Sequence, residues 1–286
     1  MIRLSDHLLV ETDFLWANVG AAITEAGIVL LDCPVRPTDS RKWQAEVAPL
    51  SPRGIQFLIS TDYHGDHVTG AAFVDNTTFI APQLVYDQIL RTKGRDSFSK
   101  KIFTETLRDQ GHSDEAATIE AAVVPLPQIC FDDSLYLHLP PLNFEIRRFG
   151  GHTPACSLVY IPEEKVVFAG DIVIESPCPG MRDANVDDWL QALDWIEGLP
   201  VEQIVPGHGN IGGKEILAKL GNYLTDIREN MTRLVKNGLE KHEAVADKSF
   251  DRFYQADTNS GPYWAKQREE TFKKGLEKLY SDIKGV

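Results

Sequence analysis

Four side chains able to bind a metal ion fall within six residues: Asp62, His64, Asp66 and His67. They follow directly on Ile55-Gln56-Phe57-Leu58-Ile59-Ser60, a short and nearly continuous apolar run. A run of that length reads as a strand buried on both faces. Alternate residues of extended backbone point the same way, so Asp62, His64 and Asp66 can converge on one side. Gly65 permits the tight turn that swings the adjacent His67 toward the same pocket. Ligands fixed to a strand end form the rigid cluster a metal needs. Taken alone, the cluster has a plain alternative: four ordinary polar residues at a strand-to-loop junction.

Three later segments repeat the arrangement. Gly150-Gly151-His152-Thr153-Pro154 follows an expected strand, Phe144 to Phe149. Ala169-Gly170-Asp171 closes a strand that begins at Val166, and Pro206-Gly207-His208-Gly209 follows Ile204-Val205. Each places one imidazole or carboxylate just past a strand beside glycine, where functional groups gather. Both donor types suit zinc, at about 2.0–2.2 Å. His7, His112, His138 and His242 lack this context and read as surface or structural residues.

Along the chain, strands are expected at Leu8–Val10, Ala21–Thr24, Ile28–Asp32, Thr77–Ala81, Leu135–Leu139 and Ser157–Ile161. Glu25-Ala26-Gly27 marks a hairpin, and Pro140-Pro141 and Pro162-Glu163-Glu164 mark turns. Helices are expected over Thr38–Val47, with Thr38 or Asp39 as N-cap, over Pro82–Lys93 and over Asp187–Gly198. Residues 94–118 are polar and read as helix and loop on the surface. From Lys214 apolar residues recur at three and four, and residues 263–284 behave similarly, so the last seventy or so form a helical appendage. Its helices either cover the core, form a dimer interface or lie as a lid over the site. The expected division is therefore 1–212 for the body and 213–286 for a C-terminal helical extension packed on it.

Composition narrows the function. A chain of 286 residues, 43% hydrophobic and 25% charged, is an ordinary globular one. Its formal net charge of −13 comes with no Lys/Arg cluster, which argues against a nucleic-acid partner. No apolar stretch approaches a membrane span, and the start lacks an apolar run before a small-residue cleavage site, so a cytoplasmic chain is expected. The cysteines, Cys33, Cys130, Cys156 and Cys178, form no C-x-x-C pair and read as reduced, buried thiols. Cys156 and Cys178 lie near the motifs, which leaves a ligand or redox role as the alternative for them.

The order Asp-x-His-x-Asp-His, Gly-His-Thr-Pro, Ala-Gly-Asp and Pro-Gly-His-Gly resembles the metallo-β-lactamase superfamily over about residues 15–210. The resemblance implies an α/β (α+β) fold, a four-layer αββα sandwich with a metal site at one edge, here with a C-terminal helical extension. It implies His64 and His152 as ligands of a first metal ion, and Asp66, His67 and His208 as ligands of a second. Asp171 would bridge both ions, and Asp32 would orient a ligand histidine. One position departs from the family pattern: Asp62 stands where the motif begins with His. As a ligand, Asp62 brings oxygen and charge, so two divalent ions against three carboxylates keep about +1 rather than about +2. Two ions, zinc first, are expected, and the extra oxygen admits Mn(II) or Fe(II). A weak first site with one tightly bound ion is the remaining option.

The function implied is hydrolysis. A hydroxide bridging the two ions attacks a small carbonyl substrate (ester, lactone, thioester or amide, β-lactams included), with Asp66 also relaying a proton. No Gly-x-Ser-x-Gly elbow supports a serine mechanism. Tyr63 and Trp16 either line the pocket or pack. Two other readings stay open. One is non-haem iron redox chemistry on the same fold, toward which Asp62 points. The other is a non-catalytic scaffold that binds a ligand. Specificity is expected in residues 94–118, residues 172–186 and the C-terminal helices.

Overall fold

Strands of period two build the body of this protein. The computed structural model describes residues 1–176, 178–255 and 261–285. Pro177, in the 172–186 loop, and residues 256–260 and Val286, in the C-terminal extension, lie outside the described residues.

The first sheet has seven strands in chain order: β1 (Ile2–Arg3), β2 (Leu8–Glu11), β3 (Val19–Thr24), β4 (Gly27–Leu31), β5 (Ile55–Ile59), β6 (Thr78–Pro82) and β7 (Ile129–Phe131). β1 to β4 pair antiparallel, and β4 to β7 pair parallel. Parallel neighbours need crossovers. These are α1 (Pro37–Val47), α2 (Gly65–Val68), and a longer excursion through α3 (Gln83–Thr92), α4 (Ser97–Asp109) and α5 (Ser113–Ala121). The second sheet holds β8 (Ser134–Leu139), β9 (Leu142–Arg148), β10 (Ser157–Ile161), β11 (Val166–Ile174) and β12 (Gln203–His208), in the order β12-β11-β10-β9-β8. Only its β11–β12 pair is parallel, crossed by α6 (Val186–Glu197).

Alternation along the strands defines the layers. In β4, Ile28 and Leu30 face α1 and α3, packing with Trp43, Val47, Val85 and Ile89. Val29 and Leu31 face the other way, into a core shared with Phe144, Ile146, Val159 and Phe168 of the second sheet. In β10, Val159 and Ile161 belong to that inter-sheet core, while Leu158 and Tyr160 face the outer helices. The order helix, sheet, sheet, helix is the four-layer sandwich expected, and burial on both faces explains the nearly continuous apolar strands.

The C-terminal helices α7 (Glu215–Lys236), α8 (Lys241–Val245) and α9 (Gly261–Lys284) complete the outer layer. Leu217, Leu220, Leu224 and Ile227 of α7 and Leu276 and Leu279 of α9 share one core with Leu158, Val167 and Trp189. No helix of the described residues is long and apolar enough to cross a membrane.

Some elements differ from expectation. The N-cap of α1 is Arg36, without a side-chain cap, and Pro37 occupies the first turn. Proline suits that position because its missing N–H would be unpartnered there. The Thr38 N–H is satisfied by Glu115 Oε1 at 3.0 Å instead. Residues 94–118 are not merely a surface segment. Ile102, Phe103 and Leu107 of α4 and Ala116 and Ile119 of α5 build a small core with Val35. Few apolar residues, concentrated on one face, were enough to bury it. β11 runs on to Ile174, past Ala169, because its pairing with β12 continues through register shifts at Gly170.

Candidate metal centre

Every expected ligand sits at the same edge of the sandwich. β5 leads into Asp62 and His64, and α2 carries Asp66 and His67. His152 lies in the turn after β9, Asp171 lies within β11, and His208 ends β12. Asp32 follows β4 with φ 54°, a left-handed conformation that few residues other than glycine and Asn/Asp adopt. At Gly207, any side chain would collide with Asp171 Oδ1 and the Asp171 backbone, so glycine there is what lets β12 close on the site.

The seven side chains fall into two groups that share Asp171. Asp62, His64, His152 and Asp171 form one, and Asp66, His67, Asp171 and His208 the other; within each, the donor atoms lie within 4.8 Å of one another. In the first, His64 Nδ1 and His152 Nε2 stand 3.0 Å apart, and His152 Nε2 is 3.3 Å from Asp171 Oδ2. In the second, His208 Nε2 is 3.1 Å from Asp66 Oδ2 and 3.3 Å from Asp171 Oδ1.

Outer partners set which nitrogen faces inward. His67 Nδ1–H donates to Asp32 Oδ2 at 2.9 Å, His152 Nδ1–H donates to the Gly180 carbonyl at 2.8 Å, and His64 Nε2–H donates to Asp183 Oδ2 at 3.1 Å. The opposite nitrogen of each ring is left to point a lone pair at the centre. His67 Nε2 and Asp171 Oδ1 are buried, 3.3 Å apart, and without a hydrogen-bond partner. Buried polar atoms are almost always paired, so two orphans aimed at one point fit a cation. The imidazole and carboxylate set fits divalent metal ions.

Electrostatics agree. Burial disfavours charge on His208, but Asp171 and Asp66 outweigh it and hold the ring up to about 10. Burial also opposes ionisation of Asp66 and Asp171, yet the surrounding histidines hold both carboxyls below the ordinary range. His152 moves the other way, because its burial outweighs the neighbouring carboxylates. Protein groups alone thus leave anionic oxygens and trapped protons where a dication would replace the protons.

Asp62 is fully buried. Its Oδ1 accepts from the Tyr63 N–H at 2.5 Å and the Thr153 hydroxyl at 2.6 Å, and its Oδ2 accepts from Cys156 Sγ at 3.2 Å. Oδ2, 3.9 Å from His64 Nδ1, is the oxygen left facing the first group. Burial, with Asp62 and Asp171 nearby, pushes the Cys156 thiol well up, and its Sγ–H is taken up by Asp62 Oδ2; Cys156 belongs to neither ligand group. Asp32 also accepts the Thr61 N–H at 2.8 Å and hydroxyl at 2.7 Å, which ties the ends of β4 and β5 together.

Sequence reading missed Asp183, Thr153 and the Gly180 carbonyl. Thr153 adjoins His152 and was within reach of a motif argument. Asp183 and Gly180 lie in an irregular segment, and no local pattern there signals a partner far away in the chain. His7, His112, His138 and His242 belong to neither ligand group. His7 pairs instead with Glu164 and His138 with Asn143.

A cavity of about 530 Å³ opens over the centre, bordered by His64, Asp66, His152, Asp171 and His208. Leu15, Trp16, Phe98, Ile102 and Phe103 give it an apolar wall, and Cys178, Arg182, Arg268 and Phe272 contribute to the rest. Trp16 therefore lines the cavity, packed on Phe103 at 4.6 Å, while Tyr63 packs against the core beneath. Helix α9 both covers the core and walls the site.

Comparison with known proteins agrees with this fold. The family description "Metallo-beta-lactamase superfamily" matches residues 17–208. The chain is 23% identical over 194 residues to a metallo-beta-lactamase type 2 of Bacteroides fragilis, covering 66% of this chain and 67% of that one. It is 23% identical over 249 residues to a linear primary-alkylsulfatase of a Pseudomonas species, covering 77% of this chain and 47% of the relative. The chain thus spans about two thirds of the first relative and about half of the second. Among solved structures, a metallo-beta-lactamase family protein of Thermus thermophilus superposes with TM-score 0.69 at 17% identity, covering 99% of this chain and 95% of that one. A sec-alkylsulfatase of a Pseudomonas species gives TM-score 0.65 at 15% identity, with 93% of this chain and 47% of that one covered.

Proposed function

The chain belongs to the metallo-β-lactamase superfamily, whose members are metal-dependent hydrolases, and on that premise we propose that it hydrolyses a small substrate with a carbonyl centre and an apolar group. The observation that carries this reading is the convergence of seven side chains in two groups around Asp171, with His67 Nε2 and Asp171 Oδ1 buried and without a hydrogen-bond partner. Asp62, His64 and His152 would hold one divalent ion, Asp66, His67 and His208 the other, and Asp171 both. When bound, such ions supply Lewis acidity and acidify water. Zinc suits the donors, and the oxygen of Asp62 admits Mn(II) or Fe(II).

The chain's own residues do the rest. Asp66 borders the cavity, and besides ligating, its carboxylate would relay a proton from the attacking water to the leaving group. The wall of Leu15, Trp16, Phe98, Ile102 and Phe103 seats an apolar substituent. An ester, lactone, thioester or amide with an apolar acyl or alkyl part fits this description.

One second reading has specific support. Two relatives are named alkylsulfatases, and the cavity joins an apolar wall to Arg182 and Arg268, which suits the sulfate ester of an apolar alcohol. Metal analysis of the purified protein, paired with a panel of lactones, thioesters, β-lactams, alkyl sulfates and phosphodiesters, separates the readings. Two bound ions with carbonyl turnover are expected. Turnover of alkyl sulfates alone would favour the second reading. Bound iron with visible absorption would favour redox chemistry, and full metal loading without turnover on any substrate would favour a binding scaffold.

A further inference from the structure

The two ligand groups are supported by different parts of the fold. In the second group, His67 is oriented by Asp32, and Asp32 is anchored to Thr61, all within the ends of β4 and β5. In the first group, both imidazoles are oriented by one irregular segment between β11 and α6. Its Gly180 carbonyl accepts from His152 Nδ1–H at 2.8 Å, and its Asp183 carboxylate accepts from His64 Nε2–H at 3.1 Å. Among the described residues, none of this segment belongs to either ligand group.

That segment is in turn held by helices α9 and α4. Arg268 of α9 donates to Ser176 Oγ at 3.2 Å and to the Cys178 carbonyl at 2.9 Å. Gly275, further along α9, lies so close that a Cβ there would stand 2.7 Å from Met181 Cβ and 3.1 Å from its carbonyl carbon. Arg182 ion-pairs with Asp183 at 2.8 Å while its guanidinium lies 4.3 Å above the Phe98 ring of α4. A side chain at 275 would have to displace backbone, not a flexible side-chain end.

We propose that residues 178–183, clamped by α9, form the positioning element of the first ligand group alone, so that the C-terminal helix sets the affinity of one metal ion and leaves the other to the core. Asp183 is the main positioning residue, and Gly275 is the contact that transmits the position of α9. The inference rests on the two-ion reading of the site. The reason for selectivity is geometric. Losing an outer partner frees a ligand ring to rotate, and typically weakens metal binding about 10–100-fold. The partner of His67 lies in a different layer from the partners of His64 and His152.

Calorimetric titration of the metal-free 286-residue chain with Zn²⁺ tests this. The wild type should bind two equivalents. Asp183→Ala and Gly275→Ala should each weaken one equivalent by about 10–100-fold and leave the other unmoved. Asp32→Ala should weaken the equivalent that those two spare. Asp183→Asn, whose amide oxygen still accepts from His64 Nε2–H, should recover most of the loss. In the zinc-loaded protein, nitrogen-15 spectra should show that Nε2–H in the wild type and in Asp183→Asn but not in Asp183→Ala. A wild type with two equivalents and an Asp183→Ala variant that matches it overturns the inference alone. So does a variant in which both equivalents weaken together. A wild type that takes up fewer than two overturns the two-ion reading, and the inference with it.

Discussion

Asp62 shows at the scale of one residue how a departure from a motif is accommodated. Its carboxylate fills a site with no solvent exposure and accepts from Tyr63 N–H, the Thr153 hydroxyl and Cys156 Sγ. An imidazole at 62 is larger and leaves the Thr153 and Cys156 donors without their acceptor. Asp62→His should therefore still fold but lose about 1–3 kcal/mol, read as a lower urea midpoint at unchanged slope. If Asp62 is a ligand, the same variant raises the net charge of the centre and should move the activity pH profile downward. An unmoved profile would speak against ligation.

At the scale of elements, helix starts and inter-helix ties carry the site's surroundings. Asn185 caps α6, its Oδ1 accepting from the N–H groups of Asp187 and Asp188, each at 3.0 Å. Its own N–H donates to the Gly151 carbonyl at 2.8 Å, which joins the helix to the turn bearing His152. Asn185→Ala should cost about 1 kcal/mol, seen in chemical unfolding of the metal-free chain. Glu115 ties α5 to the start of α1 through Arg36 at 2.7 Å and the Thr38 N–H at 3.0 Å. Burial works against its ionisation, but those hydrogen bonds prevail and hold its carboxyl below the ordinary Glu range. A lowered folded-state pKa means stability that is present above the ordinary Glu value and is lost as pH falls through the folded value. Glu115→Gln should thus cost about 1 kcal/mol at pH 7, a figure already reduced for partial solvent access, and nothing near pH 2. Equal losses at both pH values would show that packing, not charge, makes the tie.

For the whole molecule, the C-terminal helices complete the outer helical layer that α6 begins. Leu217, Leu220, Leu224, Leu276 and Leu279 pack in one core with Leu158, Val167 and Trp189 of the second sheet and α6. A chain ending at residue 212 would expose the outer face of that sheet, and large exposed apolar patches drive association. Such a truncation should be aggregated or dye-binding, without a cooperative thermal transition. A monomeric, cooperatively folding 1–212 fragment would show that the helices are dispensable cover.

Much of this was legible in the order of residues, and the reason is local chemistry. Asp62, His64, Asp66 and His67 advertise themselves because strand geometry and a glycine turn bring near neighbours together. The strands are legible because burial on both faces demands apolar runs. Motif order, through family resemblance, extended the set to His152, Asp171 and His208. Other features depended on contacts between distant segments. Asp183 is an unremarked acid in a loop until the fold sets it against His64, 119 residues away in the chain. The polar stretch 94–118 became a cavity wall only once α4 and α5 found each other and Val35. Short-range periodicity records which side of an element is buried. It carries no record of what lies opposite, and that is decided when the layers close.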